Sequence, residues 1–144
     1  MDQRYRQTSE LLRKPDFSGD YVLNREASSL SALVAPSVQT ASLRIKHDEP
    51  NFSCEGKFSS LNGETFQWSF ELVTDGSEVK QTERDGPTGT ELKWDGDSLV
   101  CTSRNEAMTI TFRYEFDSEG HLRLVEQLRG TEHDQDNLWI FDRA

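Results

Sequence analysis

The chain lacks long apolar runs and is poor in cysteine. No apolar stretch among its 144 residues approaches the ~20 residues that a membrane-spanning helix needs. No charged-then-apolar leader follows Met1, so nothing marks export and we expect a cytoplasmic protein. The 2 cysteines are too few for a disulfide framework. Because Cys54 and Cys101 both fall on apolar faces, we predict that they are buried free thiols.

Basic residues are scarce relative to acidic ones. The chain has 16 Lys and Arg against 26 Asp and Glu, which gives a formal net charge of −10. An acidic surface repels phosphate backbones and anionic lipid head groups. We therefore expect no nucleic-acid partner and no membrane insertion, and we attribute most of the negative charge to solubility.

Motifs for catalysis and for metal binding are missing as well. The sequence contains no catalytic serine or cysteine motif and no Walker-type loop. The three histidines, His47, His121 and His133, have no acidic or thiol partners at ligand spacing. The acidic loop around His133 has no glycine-containing array of calcium ligands. We predict no metal site and no cofactor, and the sequence favours a protein that is not an enzyme.

What the sequence does contain is alternation of apolar and polar residues from Thr40 to the end. Phe66, Trp68 and Phe70, for example, alternate with polar residues, which is typical of antiparallel strands with one buried face. In the last strand we assign Leu138, Ile140 and Asp142 to the inward face and Trp139, Phe141 and Arg143 to the outward face. Counting the alternating segments, together with an opening strand, predicts ten strands: 17–24, 40–47, 52–60, 64–74, 77–84, 89–94, 97–104, 107–117, 121–129 and 137–143.

Turn residues predict how these strands pair. Asp95-Gly96 is a preferred pair for a two-residue hairpin turn, which sets Leu92 against Leu99. A slip of one residue would turn a strand inside out, so each turn can be tested against the alternation. Three-residue loops ending in Gly63 and Gly120, and two-residue turns at 75–76 and 105–106, predict the pairs Phe58–Phe66, Cys54–Phe70, Phe116–Leu122, Phe112–Glu126, Leu72–Val79 and Cys101–Ile110.

The strand count predicts the architecture. An even number of up-and-down strands closes without a free edge, and ten strands enclose more volume than side chains just fill. We predict an all-β, up-and-down antiparallel β-barrel over residues 16–144, with a cavity inside. A flattened two-sheet sandwich with a solid core is the alternative.

Two helical segments complete the predicted fold. Ala27, Leu30, Leu33 and Val34 form an apolar stripe with helical spacing that ends at Pro36, which predicts a short helix between strands 1 and 2. Residues 1–15 are predicted to form either an N-terminal helix that begins near Asp2 or a loose tail.

Three stretches carry a resemblance to a known family: D-F-S-G-D-Y at 16–21, N-R-E-A-S-S-L-S-A-L at 24–33 and K-W-D-G-D-S-L-V-C at 93–101. They are similar to the opening strand, the start of the helical lid and the late hairpin of the fatty-acid-binding and retinoid-binding proteins, within the calycin superfamily that includes the lipocalins. The resemblance implies a small apolar or amphipathic ligand inside the barrel. The family commonly anchors a ligand carboxylate with an inward Arg-x-Tyr on its last strand. Ile140-Phe141-Asp142-Arg143 lacks that pattern, which argues against a fatty acid.

Glu126 is the most informative polar residue on the inward faces. It lies mid-strand between two leucines and is expected to face Phe112. A carboxylate buried without partners is costly, so Glu126 needs either a partner, such as water or the Tyr114 hydroxyl, or a ligand. The inward aromatic residues would form the wall of an open cavity or, alternatively, a solid core. The predicted ligand-binding residues are Tyr21, Leu33, Phe66, Trp68, Phe70, Trp94, Phe112, Tyr114 and Glu126.

These observations leave three functional hypotheses. The leading one is non-enzymatic binding of a small lipophilic or amphipathic molecule inside the barrel. The second is an enzyme that uses Glu126 as an acid/base in the same pocket. The third is a protein-interaction domain with a solid core, in which outward Trp139 and Phe141 contact a partner, for example in a homodimer.

Overall fold

The computed structural model describes residues 14–83, 86–130 and 134–144. These residues form ten strands in a single sheet. The strands are β1 (Gly19–Leu23), β2 (Thr40–Asp48), β3 (Asn51–Ser59), β4 (Thr65–Val73), β5 (Val79–Glu83), β6 (Gly86–Asp95), β7 (Ser98–Arg104), β8 (Thr109–Phe116), β9 (Leu122–Arg129) and β10 (Gln135–Arg143).

The sheet curls into a nearly closed antiparallel barrel. Strands adjacent in the sequence pair with each other except β4 and β5, and β1 pairs with β10, so the order runs β4-β3-β2-β1-β10-β9-β8-β7-β6-β5. The predicted ten-stranded antiparallel barrel is therefore confirmed, but the predicted closure without a free edge is wrong. Its two edges are β4 and β5, which do not form a ladder with each other.

The predicted turn at Asp75-Gly76, which would pair Leu72 with Val79, is wrong. The chain leaving β4 contacts β6 instead: Asp75 bridges to Lys93, and the Gly76 N–H donates to the Leu92 carbonyl at 2.9 Å. These bonds satisfy backbone groups next to the gap between β4 and β5, because unpaired backbone groups are costly to bury.

Two hairpins have the predicted register. Phe58 pairs with Phe66, and Phe112 pairs with Glu126. Gly63 and Gly120, the last residues of the two three-residue loops, have φ angles of 87° and 86°. Such positive φ angles favour glycine, which explains why the glycine positions predict these registers correctly.

Two other hairpins are shifted by two residues from the predicted pairing. Trp94 pairs with Leu99 and Leu92 with Cys101, because the central turn residues are Gly96 and Asp97 rather than Asp95 and Gly96. In the described residues only glycines have positive φ, and Gly96, at 62°, takes the first central position. Similarly, Cys101 pairs with Phe112 and not with Ile110. A shift of two leaves every side chain on its predicted face.

The helix predicted over residues 26–36 is wrong. Apart from turns, this segment contains one 3-10 helix, Ala35–Ser37, which is the only helical element in the described part of the chain. The Ser29 backbone pairs with Leu138, and the Asn24 N–H donates to the Ile140 carbonyl at 2.8 Å. Two turns of isolated helix are too short to be stable, and here β10 supplies the backbone partners instead.

Two remaining expectations concern helices elsewhere. The helix or tail expected over residues 1–15 lies almost entirely outside the described residues. In the ranges that the structure describes, no helix has the length and apolar character needed to cross a membrane.

The predicted orientation of the last strand is also wrong. Phe141 is only 3% exposed and pairs with Leu122, and Trp139 pairs with Leu124, so both aromatic side chains face the interior. Each face of β10 carries two large apolar residues, Trp139 and Phe141 on one and Leu138 and Ile140 on the other, and therefore the alternation alone does not distinguish them. The outward Ile140 is buried because residues 24–31 run beside β10. The homodimer hypothesis consequently loses the outward aromatic pair on which it depended.

The two ends of the barrel differ in packing. We call the half with the β2–β3, β6–β7 and β8–β9 turns the packed end, and the half with the β3–β4 and β7–β8 turns the open end. Buried apolar side chains concentrate in the packed end: Phe17, Tyr21, Ile45, Phe52, Cys54, Leu72, Leu92, Leu99, Cys101, Tyr114 and Leu122.

Candidate ligand-binding site

The candidate site is the interior of the open end. The strand registers place aromatic and aliphatic side chains on its inward face: Phe58, Phe66, Trp68, Ile110, Phe112, Leu128 and Trp139. Phe66 is 44% exposed and Trp68 is 41% exposed, although both lie on the inward face of β4. Solvent therefore reaches these two rings, which lie on β4 at an edge of the sheet.

The rings on β3 and β4 form one aromatic wall. Phe58 stacks on Phe66 with centroids 4.9 Å apart, and Trp68 lies 5.9 Å from Phe58. The Trp68 indole covers Gly56 on the neighbouring strand, where a Cβ atom would lie 2.1 Å from Cζ2 of the indole. Glycine at position 56 is thus needed for the indole to lie flat against the sheet. Gly56 was not singled out from the sequence, although a mid-strand glycine is a signal of close approach.

Glu126 is held on the inward face by two donors from β10. Its Oε1 accepts hydrogen bonds from Nδ2 of Asn137 at 3.1 Å and from Nε1 of Trp139 at 3.0 Å. Asn137 is itself buried, and its Oδ1 accepts the Ser31 N–H at 2.7 Å. The partners differ from the expected Tyr114 hydroxyl or water. Sequence reasoning missed Asn137 and Trp139 because it exchanged the inward and outward residues of β10 and placed Trp139 on the outward face.

The second carboxylate oxygen of Glu126, Oε2, can still accept a hydrogen bond from a ligand. Within the described ranges, no side chain or backbone group donates to Oε2. Thr90 and Ser103 add a hydroxyl pair on the inward face, with their oxygens 2.9 Å apart. The site therefore combines an aromatic wall with a few polar groups, which is the usual composition of a small-molecule pocket.

The structure divides the nine predicted ligand-binding residues between different regions. Phe66, Trp68, Phe112 and Glu126 have inward positions in the open end, and Phe112 is also partly buried against the hydrophobic core. Leu33 is 59% exposed in the turn that precedes the 3-10 helix. The other four lie in the packed end, where they are buried or partly buried in the hydrophobic core: Tyr21, Phe70, Trp94 and Tyr114.

The packed end is closed by a polar network around His47. The Phe17 N–H donates to Nδ1 of His47 at 3.2 Å, so Nε2 carries the proton and donates to Glu49 at 2.7 Å. The other oxygen of Glu49 accepts from Nε1 of Trp94 at 3.1 Å and from the Thr74 hydroxyl. Burial acts to raise the pKa of Glu49, but the hydrogen bonds from Thr74, His47 and Trp94 outweigh it and lower that pKa.

Concave surfaces help to locate an entrance. A recess of about 280 Å³ lies beside Phe66, between the 3-10 helix and the β3–β4 turn. A larger groove of about 790 Å³ runs along β1–β4, mostly on their outer face, and its lining includes Trp68. Its lining is largely polar, including Arg44, Glu55 and Lys57. We assign the site to the interior, because apolar binding surface is concentrated there.

Comparison with known proteins places the fold. No protein-family model matches the sequence, and no curated protein matches it. Solved structures do match: the fluorescent protein UnaG, at 15% identity and a TM-score of 0.60, covers 89% of this chain and 97% of its own. Zebrafish ileal bile acid-binding protein complexed with cholic acid has 12% identity and a TM-score of 0.58, over 89% of this chain and 98% of its own.

Both of these structures are barrels of the fatty-acid-binding-protein type. The chain therefore shares the barrel fold of these two structures, which is the fold that the resemblance of the three sequence stretches implied.

Proposed function

We propose that this protein binds a small lipophilic or amphipathic molecule in the open end of its barrel and does not transform it. The observation that carries the proposal is the solvent exposure of Phe66 and Trp68 on the inward face. Aromatic side chains that face a barrel interior and still contact solvent provide apolar surface that a ligand can cover.

The surroundings of the two rings support this proposal. The packed end gives the pocket a floor, and a surface recess lies beside Phe66. Glu126, Thr90 and Ser103 offer polar groups that would orient a ligand. The similar zebrafish barrel is a bile acid-binding protein seen with cholic acid, which is a precedent for a ligand in this fold.

We do not extend the proposal to catalysis by Glu126. Its two described partners, the Asn137 amide and the Trp139 indole, are neutral N–H donors with no basic atom to accept a proton. They orient the carboxylate and supply no proton relay, which suits a binding contact better than an acid/base pair.

Titration with the neutral fluorescent probe Nile red tests the proposal. We expect saturable one-to-one binding, and we expect Trp68→Ala and Phe66→Ala each to weaken it by about tenfold, or roughly 1.4 kcal/mol, because each removes apolar contact area. A Ser103→Trp variant should block the probe by filling the open end.

The controls are substitutions on the outward face of the same strand. Gln67→Ala and Ser69→Ala should leave the probe affinity unchanged, since their positions alternate with those of Phe66 and Trp68. If the probe does not bind, or if inward and outward substitutions weaken it equally, the ligand does not occupy the open end.

A further inference from the structure

We propose that the open end selects amphiphiles whose polar group is a protonated amine and discriminates against those with a carboxylate. This inference rests on the proposed binding function and concerns the same site. The observation behind it is the arrangement of Glu126, which has one oxygen held by Asn137 and Trp139 and the other directed to no donor in the described residues.

Among the described residues, the two partners of Glu126 leave its charge without a counterion. An amide and an indole stabilise a carboxylate by hydrogen bonding, but neither carries positive charge. An apolar ligand that covers such a carboxylate removes water from it without compensation. An ammonium group replaces that water with an ion pair and a charge-assisted hydrogen bond to Oε2, so it relieves the cost that an uncharged ligand would impose.

In the part of the open end that the structure describes, no other inward side chain provides a cation. No lysine or arginine occupies a described inward position of the open end. These positions are Leu23, Ala41, Phe58, Phe66, Trp68, Val79, Gln81, Thr88, Thr90, Ser103, Ile110, Phe112, Leu128, Gln135, Asn137 and Trp139.

The basic residue that follows Leu128 on β9 is already engaged. Arg129 points to the other face, donates to Asp136 at 2.6 Å and also donates to the carbonyls of Leu128 and Gln135. A ligand carboxylate in the pocket would therefore meet the Glu126 charge, and no described side chain would compensate for it. Like charges at close range repel each other, so a ligand with a carboxylate should bind more weakly than one with an ammonium group.

The aromatic groups around Glu126 favour the same ligand class. Phe112 lies directly across the β8–β9 pair from Glu126, and the Trp139 indole binds its carboxylate. A cation near aromatic faces gains electrostatic attraction, most strongly with tryptophan. Aromatic rings around a carboxylate that no described cation neutralises are thus a suitable environment for an alkylammonium group.

Three ligands with the same chain and different head groups test this inference: decylamine, decanol and decanoate at neutral pH. Each is titrated by displacement of Nile red. We expect decylamine to bind at least about tenfold more tightly than decanoate, with decanol between them, where tenfold corresponds to ~1.4 kcal/mol. In Glu126→Gln the amine should lose about tenfold in affinity, and decanol should change little.

Two controls separate charge from folding. Glu71→Gln makes the same change in net charge on the outward face of β4 and should leave the order of the three ligands unchanged. Glutamine at position 126 retains an oxygen acceptor for Asn137 and Trp139, and unchanged circular dichroism and thermal unfolding would show that this variant is folded.

The outcomes distinguish the inference from the binding function. If decanoate binds as tightly as decylamine, or if Glu126→Gln weakens all three ligands equally, head-group selection by Glu126 is wrong while ligand binding stands. If neither Nile red nor any of the three ligands binds, both proposals fail.

Discussion

The two ends of this barrel are built from the same alternating strands but differ in what their interiors can do. In the packed end, Phe17 stacks on Phe116 at 4.9 Å and the His47–Glu49 network closes the floor. In the open end, Phe66 and Trp68 still contact solvent. One strand, β4, contributes to both, since Leu72 is buried and Phe66 is exposed. Alternation therefore assigns a side chain to the interior, but it does not say whether that interior is filled.

The largest effect is expected from truncating the ring at the centre of the packed end. Phe17 is fully buried, so Phe17→Ala should lower the free energy of unfolding by about 3–5 kcal/mol. Phe66→Ala, the matched change in the open end, should cost less than about 1 kcal/mol because much of the ring is already exposed. Urea denaturation of both variants measures the difference. Equal losses would mean that the two ends are packed alike.

The second largest difference between the two ends is expected in the reactivity of their thiols. Burial raises the pKa of Cys54 to about 12 and that of Cys101 to about 11. Because the thiolate is the reactive species, both should alkylate with iodoacetamide about a hundredfold or more slowly than an exposed cysteine. A Ser103→Cys variant supplies a comparison thiol in the open end. Mass spectrometry of the peptides gives the three rates, and similar rates would contradict a sealed packed end.

Gly56→Ala should have an intermediate effect. A methyl group there overlaps the Trp68 indole and should cost about 1–3 kcal/mol while moving the ring. In a Trp68→Ala background the same substitution should cost much less, and the double-mutant cycle measures the coupling by urea denaturation. If the two changes are additive, the indole does not depend on Gly56 for its position.

The smallest effect concerns acid stability at the packed end. The pKa of Glu49 lies below its ordinary value of 4.5 in the folded protein, so its network adds stability that is present above the unfolded pKa and is lost as pH falls through the folded pKa. Glu49→Gln should therefore lose less stability than the wild type when the pH falls below 4.5, the ordinary pKa of glutamate.

The expected change is small because the Glu49 side chain is 44% exposed to solvent. Urea midpoints measured between about pH 3 and pH 7 provide the test. If the urea midpoints of the wild type and the variant fall equally as the pH is lowered, Glu49 does not contribute to the pH dependence of stability.

Local patterns predicted most of the barrel. Polar–apolar alternation identified ten strands, and Gly63 and Gly120 predicted two registers because their turns require positive φ. The pattern failed where it had no contrast, as on β10, where Trp139 and Ile140 are both apolar. It also failed at residues 26–36, where helical spacing is outweighed by backbone pairing with β10.

Four of the nine predicted site residues, Phe66, Trp68, Phe112 and Glu126, have inward positions in the open end. Glu126 could be identified because a charged residue on an apolar face is locally visible. Its partners Asn137 and Trp139 could not be identified, since finding them requires knowing which side chains of β10 point inward.

The amino-acid sequence by itself determined the strand number, most of the side-chain faces and the presence of an inward carboxylate, because these depend on spacing along the chain. Only the tertiary structure decided which half of the interior is filled, where β4 and β5 part and which side chains hold Glu126. Those features depend on contacts between strands distant in sequence, and short-range periodicity carries no information about such contacts.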